Sequence, residues 1–133
     1  TGAPAVAIEL PDGTIITGKT GDLLGASSAA LLNSIKYLGD IDHEALLLSP
    51  EAIAPIQMLK TQYLGSKNPR LHTDEVLIAL SATAAENEVA ALALRQLPKL
   101  SGAQVHSTVM LSPVDKKIFK KLGCDLTCEA KTD

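Results

Sequence analysis

The order in which apolar residues recur constrains this chain more than any other feature. Val6, Ile8 and Leu10 alternate with small or polar neighbours, Pro11-Asp12-Gly13 supplies turn chemistry, and the β-branched run Thr14-Ile15-Ile16-Thr17 follows. That is the pattern of a β-hairpin. Past Gly18 to Gly21 the period changes: Leu24, Ser28, Leu31, Ile35 and Leu38 recur at helical spacing until Gly39-Asp40, predicting a helix over about 22–38. Ala45 to Leu48 is an unbroken apolar run, the mark of a central strand buried on both faces.

Ser49-Pro50-Glu51 then reads as a helix start, because the hydroxyl accepts an orphan amide, proline fits the first helical position and the carboxylate suits the dipole. The apolar face expected for this helix is Ile53, Ile56, Leu59 and Tyr63. Pro55 removes an internal hydrogen bond, so the start could also fall at that residue. A polar loop, Gly65 to Glu75, leads through a Thr73 cap into Val76, Leu77 and Leu80, and a further helix is expected over about Asn87 to Leu97.

From Ala103 to Leu111 the alternation returns, with Val105, Val109 and Leu111 opposite Gln104, His106, Thr108 and Met110. Ser112-Pro113-Val114-Asp115 starts the last helix, Gly123 caps it, and Cys124, Leu126 and Cys128 face one way in a final strand. The order ββαβαααβαβ predicts an α/β fold: a mixed, partly parallel sheet of about five strands flanked by helices.

With 133 residues the chain has the usual size of a single α/β domain. It opens on Thr1 rather than Met, directly into strand-like sequence, as a piece of something longer would. No apolar run approaches the roughly 20 residues of a membrane helix, and no secretory leader is visible at the start. The expectation is a soluble, cytoplasmic protein with no membrane partner. Two Tyr, one Phe and no Trp offer few stacking platforms for single-stranded nucleic acid. The net charge of -3 argues against a nucleic-acid partner, and Lys116, Lys117, Lys120 and Lys121 read as the wet face of a helix. Cys124 and Cys128 stand four apart in a strand, about 13 Å between Cα atoms, beyond disulfide reach.

The stretch GTIITGKT, Gly13 to Thr20, matches the phosphate-loop pattern letter for letter. The pattern needs a flexible turn that aims its amides at phosphate and a helix beginning at Gly-Lys. Thr14 to Thr17 are instead stiff and at home in a strand, and Gly13 belongs to the hairpin turn. The weaker expectation is an anion site at the carboxyl edge of the sheet, with Lys19 and Thr20 beside the capped helix starts at Ser49 and Ser112. The bland alternative is that these are caps and connections only.

The loop Lys67 to Glu75 adds Arg70, which can grip an anion bidentately, and His72, which Asp74 or Glu75 could orient. Its alternative is a solvated loop feeding acidic first-turn residues. His106, beside Thr108 on the polar side of its strand, fits a histidine packed under a helix better than a catalytic one. The three histidines and two cysteines show no metal-ligand spacing. No nucleophile elbow is present, and Gly25-Ala26-Ser27-Ser28-Ala29 reads as small residues packing a helix on the sheet. No cofactor and no metal is therefore expected within this chain.

Three long blocks, PAVAIELPDGTIITGKTGDLLGASSAALLNSIKYL, LLLSPEAIAPIQMLKTQYLGSKNPRLHTDEVLIALS and HSTVMLSPVDKKIFKKLGCDLTCE, closely resemble the C-terminal part of the bacterial conserved-hypothetical family known as domain of unknown function eighteen-forty-six. The resemblance covers nearly the whole chain. It implies that the chain is the last domain of a protein several times longer, with a separate glycine-rich, phosphate-loop-like stretch upstream. It supplies no reaction and no catalytic residue. Two readings of function follow. One is a noncatalytic domain that packs on the upstream nucleotide-binding-like half and takes part in self-association as a homo-oligomer. The other is part of an enzyme acting on a phosphorylated or nucleotide-linked small molecule, with Lys19, Arg70 and His72 binding it or moving protons.

Overall fold

The computed structural model describes residues 5–128, with the side chain of Cys128 outside that description. Strands β1 (Ala5–Glu9) and β2 (Ile15–Lys19) form the expected hairpin, paired antiparallel with Ala7 opposite Thr17. Gly13 turns it with φ of 89°, a conformation that a side chain would strain. At the same turn the Thr14 amide, 2.9 Å from Asp12 Oδ1, holds the Asp12 carboxyl below the usual carboxylate range.

Strand β3 (Gln104–Ser107) lies antiparallel to β1 on its other side, and β4 (Asp125–Cys128) lies parallel to β3, giving the order β2-β1-β3-β4. The sheet is thus mixed, as the sequence order predicts, with four strands among the described residues rather than about five. The missing strand is Ala45–Leu48, which runs as irregular chain: Leu47 and Leu48 are buried while Leu46 is 73% exposed. Two buried leucines suffice to plug a core from a loop.

Helix α1 (Ala26–Leu38) packs on β1 and β2, and α2 (Pro50–Met58) starts at Pro50 with Pro55 inside it. A π turn, Leu59–Tyr63, continues α2. Helix α3 (Thr73–Ala84) is followed by α4 (Glu88–Leu94), a 3-10 turn at Leu97–Leu100, and α5 (Pro113–Lys121), the crossover between the parallel pair. α1 begins four residues later than periodicity suggests, because Gly21 to Leu24 closes a turn and Leu24 forms an isolated parallel bridge with Leu71. The span expected as one helix over Asn87 to Leu97 is α4 followed by the 3-10 turn. His72 rather than Thr73 occupies the cap of α3, since the Thr73 hydroxyl is directed at Asp115.

Val6, Ile8 and Val105 turn to the helix side, where they meet Ala30, Leu31, Ile35, Leu71, Val76, Leu80, Leu100 and Phe119 in one core. The alternation of β3 ends at Ser107: its hydroxyl donates to the Val109 carbonyl at 2.6 Å, and Thr108 bonds Ala5. Val109 is consequently 43% exposed, against its expected place on the buried face. The opposite face of the sheet carries Ala5, Ala7, Glu9, Ile15, Thr17, Lys19, Gln104, His106, Asp125 and Thr127, and no helix of the described residues covers it. His106 is therefore exposed rather than packed under a helix.

Helix α2 departs most from expectation. Ile53 is buried and Ile56 half-buried, but Leu59 and Tyr63 are 49% and 74% exposed, and Lys60 takes the inward position at 7%. The inward stripe runs 53, 56, 57, 60, the outward one 54, 55, 58, 59, 62, 63.

Candidate functional site

Strands β2, β3 and β4 run in one direction and β1 in the other. The carboxyl ends of β2 and β3 therefore share an edge with the start of β1, and the chain leaving that edge after β3 enters α5 at Ser112. Here the sequence-derived site residues sort themselves. Lys19 ends β2 and is exposed, with Thr20 half-buried after it. Gly21 follows, and its carbonyl accepts from Arg70 Nε. The Leu24–Leu71 bridge holds the two segments together, with the Leu71 amide 3.0 Å from the Leu23 carbonyl. Arg70 and His72 are thus brought to the edge that carries Lys19 and Thr20.

Ser112 caps α5 by accepting from the Asp115 amide at 3.1 Å. Asp115, 7% exposed, accepts from the Thr73 amide at 3.0 Å and the Thr73 hydroxyl at 2.7 Å through Oδ1. Its other oxygen stands 3.7 Å from His72 Nδ1. The carboxylate facing the imidazole is therefore Asp115 and not Asp74 or Glu75. Glu75 instead accepts from the His72 amide at 2.8 Å and pairs with Lys60 Nζ at 2.8 Å. Lys60 Nζ also donates to the Arg70 carbonyl. The α3 start is thereby pinned from two sides, by Asp115 of α5 and by Lys60 of the π turn.

Ser49 stays outside this cluster. It caps α2 by accepting from Ala52, and Lys60 lies eleven residues further along the axis, about 16 Å away. The Ser-Pro starts at Ser49 and Ser112 look alike in sequence, but only the second follows a sheet strand.

The phosphate-loop match dissolves in the same geometry. Its residues 15–19 are β2, and α1 begins seven residues after Lys19. Gly18 faces the helix so closely that a Cβ there would lie 2.2 Å from the Ala30 amide nitrogen. The second glycine of the motif is a packing residue. Among the described residues, no three His, Cys, Asp or Glu side chains converge as metal ligands, and no helix is long and apolar enough to cross a membrane.

Sequence reasoning named Thr73 only as a cap and Asp115 only within a helix start, and it missed Lys60. Asp115 sits at the third position of a Ser-Pro helix start, where an acid is expected as dipole complement; nothing in its spacing reveals that it is buried against another helix. Lys60 had a readable signal, since it stands seven residues after Ile53 and four after Ile56.

Chemically, the edge presents an exposed lysine, a guanidinium fixed through Nε and an imidazole backed by a buried carboxylate. Residues 1–133 match, over their whole length, the family model described as "Domain of unknown function DUF1846, C-terminal". The chain belongs to this family. It is 59% identical over 131 residues to UPF0371 protein cu0538 of Corynebacterium urealyticum, covering 98% of this chain and 26% of that relative. A UPF0371 protein of Streptococcus pneumoniae serotype 19F is 51% identical over 127 residues, 96% of this chain and again 26% of the relative. The chain thus spans about a quarter of the length of the curated relatives it matches, as expected for the C-terminal region of a longer bacterial protein.

Proposed function

We propose that this DUF1846 C-terminal region serves the longer protein as a docking and ligand-completing α/β domain. It packs by the carboxyl edge of its sheet on the preceding, nucleotide-binding-like half, and it contributes Lys19, Thr20, Arg70 and His72 to the cleft between them. The observation that carries the reading is the gathering of these cationic and polar groups at the edge where β1 begins. In relatives four times this length, the preceding chain enters there. Exposed Val109 and Met110 on the same edge supply apolar contact area. The ligand class is a phosphorylated or nucleotide-linked small molecule, because a guanidinium and an ammonium presented at one edge of the sheet suit phosphate oxygens.

A thermal-shift screen of the longer protein against nucleotides and phosphorylated metabolites tests this. The expected result is stabilisation that Arg70→Ala and Lys19→Ala each reduce, with no response from residues 1–133 alone. Stabilisation indifferent to both changes would remove the edge from the site.

A second reading, an enzyme acting on such a metabolite, is favoured by the buried Asp115 carboxylate facing His72 Nδ1 at 3.7 Å, from where a small closure would let it orient the imidazole as a general base. In a turnover screen of the longer protein it requires His72→Ala to lower kcat with KM little changed. Self-association belongs to the first reading, and sedimentation of the longer protein over a range of concentrations tests it.

A further inference from the structure

We infer that the bare face of the sheet is the seat of one particular helix, drawn from the part of the longer relatives that precedes the matched region, lying along β1 and running opposite to it. The inference rests on the reading that this region packs on a preceding part of its chain. It adds which surface is covered, by what, and in which direction.

The floor of that face is β1. Ala5 and Ala7 stand there between taller neighbours, Thr17 on β2, His106 on β3 and Thr108 just after it, with Thr127 beyond, and together they enclose a trough of about 230 Å³. β1 is hydrogen-bonded on both sides, to β2 and β3, so it has no free backbone edge for an added strand. Only side chains can fill the trough, and a groove between two ridges receives the ridge of a helix. A second copy of the same face would bring groove against groove, which leaves both unfilled.

Charge on the rim sets the direction. Row by row across the sheet, Lys19 stands beside Ala5 at one end, while Glu9, Gln104 and Asp125 line the other. The middle row, Thr17, Ala7, His106 and Thr127, carries no fixed charge. A helix places its partial positive end near acids and its partial negative end near a cation. Its N-terminus therefore belongs over Glu9 and Asp125 and its C-terminus over Lys19. That C-terminus falls at the end of the sheet where β1 starts, so the chain need not cross the sheet between the helix and the strand. Rim polarity, trough shape and connectivity agree on one placement. Covering this face also gives the mixed sheet the second helical layer that partly parallel sheets commonly have, and it places His106 under a helix.

The test is cysteine labelling in the full-length protein, with Thr17→Cys and His106→Cys in the trough, Met110→Cys at the carboxyl edge and Gln62→Cys on the exposed side of the π turn as reference. All four positions are exposed in this region, so none of the substitutions threatens folding. The expected result is maleimide labelling at Thr17→Cys and His106→Cys on the order of a hundredfold slower than at Gln62→Cys, unchanged on dilution. A photo-crosslinker at position 106 should then capture a peptide that precedes the matched region in the same molecule. Protection lost on dilution assigns the face to a second copy and overturns the inference, as does capture of any other peptide. Fast labelling in the trough with slow labelling at Met110→Cys overturns it while leaving edge docking intact. Fast labelling at all positions removes both.

Discussion

Gly18 decides what the most conspicuous motif of this chain means. If GTIITGKT held phosphate, Lys19 would matter most for function and Gly18 would matter for ligand approach. In the fold, Gly18 matters for stability, because a Cβ would be driven into the backbone of Ala29 and Ala30. Backbone on both sides cannot yield as a flexible side chain would. Gly18→Ala should destabilise the protein by on the order of 3 kcal/mol, lowering Tm by about 10 °C. Lys19→Ala, on an exposed side chain, should change stability by less than about 0.5 kcal/mol. A melting curve for each variant checks the pair, and a harmless Gly18→Ala would mean that α1 does not sit on β2 as described.

Cys124 offers a second test at this scale. It is 5% exposed, its Sγ lies 3.5 Å from the Leu100 carbonyl, and burial together with the Asp125 charge pushes the thiol up to about 11 from an ordinary 9.0. A raised folded value means that the unfolded chain ionises first as pH rises. The stabilising contribution is whole below pH 9 and is lost between about 9 and 11. Unfolding free energy measured across that interval should fall, with a shallower slope in Cys124→Ala. At pH 8 the native thiol should react with iodoacetamide only as fast as the protein opens.

At the level of elements, the inward stripe of α2 and its π turn holds a lysine where hydrophobicity suggests leucine and tyrosine. Lys60 reaches Glu75 and the Arg70 carbonyl from a side chain only 9% exposed, opposite a Glu75 side chain at 25%. Lys60→Met strands the Glu75 charge and the carbonyl and should cost about 3 kcal/mol. Adding Glu75→Gln removes the stranded charge while keeping an acceptor for the His72 amide, so the double variant should lose less than the sum of the single ones. Additive losses in a double-mutant cycle of urea unfolding would show that the two do not interact.

The same helix shows where sequence legibility stops. The hairpin, the Ser-Pro helix starts and the α5 crossover were readable because each rests on local chemistry: a turn, a cap, a two-residue period. Ala45–Leu48 was not, since a short apolar run can plug a core from a strand or from a loop. The direction of α2 failed because both of its stripes contain apolar residues, and only a third element, α3 with Glu75, selects between them. The candidate site divides in the same way. Lys19, Thr20, Arg70, His72 and Ser112 are polar residues at element boundaries and could be named in advance. Their gathering depends on the Leu24–Leu71 bridge and on Thr73 meeting Asp115, contacts between segments more than 40 residues apart.

For the molecule as a whole, helices on one side of a four-stranded sheet leave two outer surfaces: the bare sheet face and the outward stripe of the helical layer. The second is unusually apolar, with Met58, Leu59, Tyr63 and Leu64 between 47% and 74% exposed. Side chains this open contribute little to the fold of the isolated region, yet side by side they form the kind of patch that drives association. Tyr63→Lys combined with Met58→Lys should therefore alter unfolding free energy by no more than about 1 kcal/mol, twice the usual range for a surface change, while lowering light scattering of concentrated residues 1–133. Chemical denaturation followed beside static scattering separates the two effects. A large loss of stability would place these residues inside the fold, with the inward stripe drawn from the other side of the helix. Unchanged scattering would assign any association of the isolated region to the sheet face instead.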